Sequence, residues 1–253
     1  MTFGLPFAKL AIGEVAEWSK AVDSKSTVRI KRTAGSNPVL SAILGVFMNL
    51  FLIDVDNTLY PKESGIFDLI DEKINGYMHE ILGMNSETVN KTRIEYWNKY
   101  GTTMSGLIKH YDIDPYHFLE YTHDIDIKTV IQPNKQLSEK LKSIHATKIA
   151  FTNAPKKHAE QVLDALGIID NFVDIFDIIS ADFIGKPNKY PYEKIMNITK
   201  AKNYAMADDY EKNLKTAKEL GIFTILIGKN SSEIADLCFE KFEDIPDYIL
   251  NKK

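Results

Sequence analysis

From Met48 onward, short apolar runs of strand length alternate with segments of helix length, and that alternation restricts the choice of fold severely. The runs "NLFLID", "KIAFTN", "FDIIS", "YAMAD" and "FTILIG" read as strands. Between the later ones, "KKHAEQVLDALG", "YPYEKIMNIT" and "EKNLKTAKELG" read as helices. Strands and helices alternating at this spacing predict an α/β fold with a parallel sheet and helices on both faces. One gap breaks the rhythm. Residues 65–131 read as almost wholly helical: "IFDLIDEKINGYMHEIL" places Ile66, Leu69, Ile70, Ile74, Met78 and Leu82 on one face. "SETVNKTRIEYWNKYG" begins with Ser86 as N-cap candidate and stops at Gly101, and shorter helices are expected at 104–110 and 115–122. The expected organisation is a core of residues 48–64 and 132–253, with a helical cap, 65–131, inserted after the first strand. Tyr96, Trp97 and Tyr100 are expected in the core of that cap.

Polar clusters follow the strands. Asp54 and Asp56 end the first run, Thr152 and Asn153 the second, and Asp208 and Asp209 end "YAMAD". Lys186 lies in the loop "FIGKPN". Ligands of open α/β sheets bind at the carboxyl ends of the strands, so these groups are expected in one crevice. Side chains two apart on a strand point the same way, which lets Asp54 and Asp56 face one reacting atom. Crowded carboxylates repel unless a divalent cation neutralises them, and oxygen-only ligands suit Mg²⁺. A lysine and a threonine hydroxyl match the oxygens of a phosphoryl group. One carboxylate can then attack phosphorus, and a second can protonate the leaving alcohol and activate water. Taken singly the residues have ordinary readings: Asn57 and Thr58 as helix caps, Asp209 as a cap, Lys186 as a solvated loop lysine.

The four words "DVDNT", "FTN", "GKP" and "ADD" together resemble the motifs of the haloacid dehalogenase superfamily of phosphatases, in the same chain order. The resemblance implies a Rossmann-like core, Asp54 as nucleophile and magnesium ligand, and Asp56 as general acid/base with its main-chain carbonyl on the metal. It also implies Thr152 and Asn153 on phosphate, Lys186 neutralising phosphate and nucleophile, and Asp208 and Asp209 completing the metal site. "DNTLYPKESGI", "YGTTMSGL", "YTHDIDI" and "FTNAPKKHAEQVLDALGI" are similar to the pyrimidine 5′-nucleotidase branch. That implies Mg²⁺-dependent hydrolysis of pyrimidine nucleoside 5′-monophosphates, with Tyr100, Thr102 and Thr103 (and Ser105) lining the nucleoside pocket. His123 and Asp124 would hold either the hinge or the substrate. Two departures stand out: Asp208 replaces a common glutamate, and Ala154-Pro155 replaces a phosphate-clamping serine or arginine. The latter shifts weight to the main-chain amides at the next helix start, with Pro155 at its first position. Other small phosphomonoesters, such as a sugar phosphate or phosphoglycolate, and a non-catalytic binding module are the alternatives. Asp56 argues against a dehalogenase, which has no leaving alcohol to protonate. A phospho-receiver domain places its acidic pair and its phosphorylated aspartate in the reverse order.

Bulk properties agree with a small-molecule enzyme. With 253 residues, 44% of them hydrophobic, the chain can bury a sizeable core. A net charge of −4 without a long basic run predicts no nucleic-acid partner. The apolar stretch Val39–Ile53 is shorter than the roughly 20 residues of a membrane-spanning helix, so no membrane partner is expected. A small phosphomonoester is the expected partner, for a monomer or weak homodimer. The lone Cys238 excludes an internal disulfide and fits a reducing compartment, the cytoplasm; in "EIADLCFE" it reads as a buried structural thiol on a helix. The six histidines form no metal-binding pair. Residues 1–47 differ from the rest: they show no clean period and carry six Lys or Arg against three Asp or Glu. "GSNP" and "AEWSKA" can be read from the T-arm and D-arm of a transfer-RNA gene. Translation is therefore expected to start at Met48, with a genuine flexible extension as the alternative, and a cloverleaf in the DNA upstream of that codon is the check.

Overall fold

The computed structural model describes residues 48–246, so the expected upstream extension lies outside the described residues. Strand β1, Leu50–Ile53, is four apolar residues with no solvent exposure, as a strand covered on both faces must be. It lies between β2 (Thr147–Phe151) and β4 (Tyr204–Asp208), pairing parallel with both: Leu50 stands opposite Thr147 on one side and Tyr204 on the other. With β3 (Asp174–Phe176), β5 (Phe223–Ile227) and β6 (Leu237–Phe239) the parallel sheet runs β3-β2-β1-β4-β5-β6. The strand order turns back between the β1–β2–β3 half and the β4–β5–β6 half, which places a crevice at the carboxyl ends of β1, β2 and β4.

Side-chain alternation divides β1 between two cores. Phe51 and Ile53 pack into one cluster with Leu141, Val162, Leu163 and Ile225. Leu50 and Leu52 pack into the other with Phe151, Tyr192, Ile195 and Leu214. Four helices precede β2 in the long gap: α1 (Ile66–Gly76, continued by a π turn at Tyr77–Ile81), α2 (Ser86–Tyr100), α3 (Thr103–Tyr111) and α4 (Pro115–Thr122). They share a third core of Tyr77, Met78, Val89, Met104, Leu107, Phe118 and Leu119. Helices α5 (Lys135–Ser143), α6 (Lys156–Ala165), α7 (Lys189–Thr199) and α8 (Glu211–Glu219) cover the sheet. No helix among the described residues is long and apolar enough to cross a membrane.

Several local expectations are corrected. Helix α2 is capped by Asn85, whose side chain accepts the Glu87 N–H, so Ser86 is its first residue. The strand expected as "FDIIS" is Asp174–Phe176. The buried Asp177 carboxylate accepts the N–H groups of Lys156 and Ser180 and turns the chain out of the sheet, and Ile178 enters the helical unit's core. Cys238 lies on a strand, not a helix: Asp236 accepts from the Thr224 N–H and hydroxyl and draws Leu237–Phe239 alongside β5. Cys238 is half-buried, and burial pushes its thiol up, away from nucleophilic use. Trp97 is 42% exposed and packs against Tyr210 with ring centroids 5.2 Å apart, at the seam with the sheet domain rather than inside the helical unit.

Candidate active site

As β1 ends, the Asp54 N–H donates to Ala207 O of the neighbouring strand (2.9 Å), fixing the chain where its carboxylates emerge. Asn57 then takes a left-handed turn (φ 59°), a conformation a short polar residue tolerates. The Asp54 carboxylate accepts from Lys186 Nζ at 2.8 Å on Oδ1 and from the Thr58 hydroxyl at 3.0 Å on Oδ2. Lys186, 2% exposed, also donates to Asp208 Oδ2 at 2.9 Å and to Phe151 O at 2.7 Å. One ammonium thus joins the ends of β1, β2 and β4. Asp208 in turn accepts from Asn213 Nδ2 on both oxygens and from the Tyr210 N–H.

The loop that delivers Lys186 is clamped from β2. The Asn153 side chain donates to Lys186 O and accepts its N–H, at 2.9 and 2.8 Å. Gly185 leaves no room there: a Cβ would lie 2.7 Å from Thr102 Cγ2 and 3.0 Å from Asn153 Oδ1. Gly101, at φ 86°, lies less tightly against the same loop, where a Cβ would be 3.2 Å from Pro187 Cδ and 3.3 Å from the Lys186 carbonyl. The word "YGTT" of the helical unit therefore touches the word "GKP" directly.

Asp56 has separate partners. Its Oδ1 accepts from the Tyr60 hydroxyl at 2.6 Å and from His158 Nε2 at 2.9 Å. Its Oδ2 has the Thr152 hydroxyl at 3.5 Å, the outer limit of a hydrogen bond.

Charge divides the two carboxylates. Burial, together with Asp208 and Asp209, pushes Asp54 well above the usual carboxylate range, and Lys186 offsets this only in part. Asp209 is pushed up to about 7 by burial and by Asp208. Burial alone would raise Asp56, but the charge and hydrogen bond of His158 and the Tyr60 hydroxyl outweigh it and hold this carboxyl low. Burial likewise opposes the Lys186 charge, yet Asp208 and Asp54 hold the ammonium above the ordinary lysine value. Asp54, Asp208 and Asp209 offer carboxylate oxygens within 4.8 Å of one another. This oxygen-only cluster of excess negative charge fits a hard divalent cation. Asp208 and Asp54 both accept hydrogen bonds on each oxygen, so of the three Asp209 has the least committed carboxylate.

The sequence-derived site residues thus fall into groups. Asp54, Asp56, Thr152, Lys186, Asp208 and Asp209 converge. Asn153 adjoins them, but its side chain is committed to the Lys186 main chain. Tyr100 and Gly101 line a cleft of about 240 Å³ with Trp97, Pro187, Tyr210 and Lys212. Thr102 caps α3 through the Ser105 N–H, and buried Thr103 donates to Arg93 O, so both hydroxyls serve the helical unit. Pro155 is the extended N-cap of α6, not its first residue. The Ala154 and Lys156 amides already serve Thr152 and Asp177, so they are not free for an anion. Thr58, Tyr60, His158 and Asn213 join the site beyond the expected set. The first two stand four residues after the aspartates they bond; His158 and Asn213 reach theirs only through the fold.

Comparison with known proteins agrees with this arrangement. The family model described as "Hydrolase: haloacid dehalogenase-like hydrolase" matches residues 48–221. "Phosphate metabolism protein 8" of Saccharomyces cerevisiae is 29% identical over 192 residues, covering 68% of this chain and 59% of the yeast protein. This chain therefore spans less than two thirds of that relative's length. Two solved structures share the fold with a TM-score of 0.54 at 15% identity. They are β-phosphoglucomutase of Clostridium difficile (80% of this chain, 97% of that one) and the HAD-hydrolase YfnB of Bacillus subtilis bound to magnesium (78% and 96%). With most of the described chain matched and its four motifs meeting at one sheet edge, the protein belongs to the haloacid dehalogenase-like hydrolases.

Proposed function

We propose that the protein hydrolyses phosphate monoesters, those of pyrimidine nucleosides in particular, through an aspartyl-phosphate on Asp54. The observation that carries this reading is the joint Lys186 bridge to Asp54 and Asp208, with Asp56 held separately 2.9 Å from His158. Two neighbouring carboxylates are thereby given different work. Mg²⁺, held by Asp54, Asp208, Asp209 and the main-chain carbonyl of Asp56, would neutralise the acidic cluster and draw in an anionic ester. The magnesium bound by the B. subtilis neighbour supports the metal, and the yeast relative's name, a phosphate metabolism protein, supports chemistry on phosphate.

The chemistry follows from the residues. An Asp54 oxygen attacks phosphorus as the bond to the ester oxygen breaks, while Lys186 and the Thr152 hydroxyl offset the phosphoryl charge. An incoming phosphate raises the proton affinity of Asp56, which takes up a proton and delivers it to the leaving alcohol. As a carboxylate, Asp56 then removes a proton from the water that attacks the phosphoryl-Asp54, releasing phosphate. The helices of residues 65–131 would serve as the cap. The cleft walled by Trp97, Tyr100 and Tyr210, with Lys212 about it, offers aromatic faces and a cation to a base with carbonyl oxygens.

A panel of monophosphates in Mg²⁺ tests the reading through phosphate release. Preference for UMP, CMP or dTMP over purine nucleotides is expected. Preference for a sugar phosphate or phosphoglycolate would reject the nucleoside assignment, and no release from any ester would reject the phosphatase reading.

A further inference from the structure

His158 lies in the first turn of α6, 1% exposed, and is not among the residues to which the motifs assign a role. Its Nε2 meets Asp56 Oδ1 at 2.9 Å. Facing a carboxylate oxygen, which only accepts, Nε2 is the donor, while Nδ1 has no hydrogen-bond partner among the described residues. The ring is held from behind by His123, which ends α4 where the chain leaves the helical unit. The two rings meet edge to face with centroids 5.1 Å apart. His123 itself stays neutral, lowered to about 4 by burial and by His158. With Tyr60 and His158 both donating to Oδ1, negative charge on that oxygen is satisfied. A proton on the Asp56 carboxyl therefore goes to Oδ2, the oxygen that shares the crevice with Thr152.

The geometry points to His158 as the positioning residue of the general acid: it fixes the Asp56 rotamer and directs the transferable proton to Oδ2, toward the leaving alcohol. This rests on the phosphatase reading above but concerns a residue which that reading does not need. If it holds, losing His158 harms esters whose leaving group must be protonated and spares those whose leaving group departs as a stable anion.

The test compares kcat/KM for UMP, an alkyl ester, with that for p-nitrophenyl phosphate, whose phenolate leaves unprotonated, in wild type, His158→Leu and His158→Gln. General acid catalysis contributes about 100- to 10,000-fold, and misalignment forfeits part of it. His158→Leu is expected to lower kcat/KM for UMP by about 10- to 100-fold with KM nearly unchanged, and for the aryl ester by less than about threefold. Glutamine carries an N–H at the same reach as Nε2, so His158→Gln is expected to restore most of the UMP rate. Should the leucine variant not fold, His158→Asn, too short to reach Asp56, replaces it with the same expectation. Equal losses on the two esters, or no loss on either, would overturn the assignment. A wild type inactive on both esters would instead reject the phosphatase reading itself.

Discussion

Asp54 and Asp56 are two residues apart yet live in opposite surroundings, and the difference comes from their partners. Asp54 shares a buried cluster with Asp208 and Asp209, which raises its proton affinity, whereas Asp56 is held low by His158 and Tyr60. Asp209 turns this into a pH dependence. Its carboxyl lies near 3.8 in an unfolded chain and is pushed up to about 7 here. A raised carboxyl stabilises the fold fully below the unfolded value, and that contribution is lost as pH rises through the folded one. In EDTA, the melting temperature of the wild type is expected to fall between pH 5.5 and 8 more steeply than that of Asp209→Asn, measured by differential scanning fluorimetry. Equal slopes would contradict the placement of Asp209 in an uncompensated acidic cluster. The sequence made these carboxylates legible because each ends an apolar run. It did not disclose what His158 and Asn213 do: His158 stands within "FTNAPKKHAEQVLDALGI", yet nothing local ties it to Asp56, or Asn213 to Asp208. Those contacts exist only once α6 packs by β3 and α8 by β4 and β5.

At the scale of elements, the junction between the helical unit and the sheet domain is a contact of two loops. Gly101 and Thr102 lie on Gly185, Lys186 and Pro187, and Asn153 locks the latter loop to β2. Gly185→Ala inserts a methyl against Thr102 Cγ2 and the Asn153 amide. Overpacking of this kind costs about 1–3 kcal/mol and moves backbone. Steady-state kinetics are expected to show kcat/KM lowered by roughly tenfold or more, since small misplacements of a catalytic group cost rate steeply. Adding Thr102→Ser, which removes the opposing methyl and keeps the capping hydroxyl, is expected to recover part of the loss. Wild-type kinetics in the single variant would contradict the close fit of the two loops. Most elements were readable from apolar period and caps. The exceptions are set by contacts remote in sequence: β3 ends where Asp177 is taken by α6, and β6 forms because Asp236 is held by Thr224. Helix α5, between the helical gap and β2, is not among the expected elements.

For the whole molecule, topology does what no single segment could. A parallel sheet with β1 at its centre brings the carboxyl ends of β1, β2 and β4 to one edge, and Lys186 is the point where they meet. The order of the motifs along the chain made this convergence predictable; the distances within it and the seam cleft were not. The central claim, that Asp54 is the attacking group of a metal-assisted phosphatase, is tested most directly by phosphate release from UMP by wild type and Asp54→Asn, each with Mg²⁺ and with EDTA. Turnover by the wild type in Mg²⁺ is expected, with its loss in EDTA, and Asp54→Asn in Mg²⁺ is expected to fall more than about 1,000-fold below the wild type in Mg²⁺. An Asp54→Asn variant turning over near the wild-type rate would contradict it.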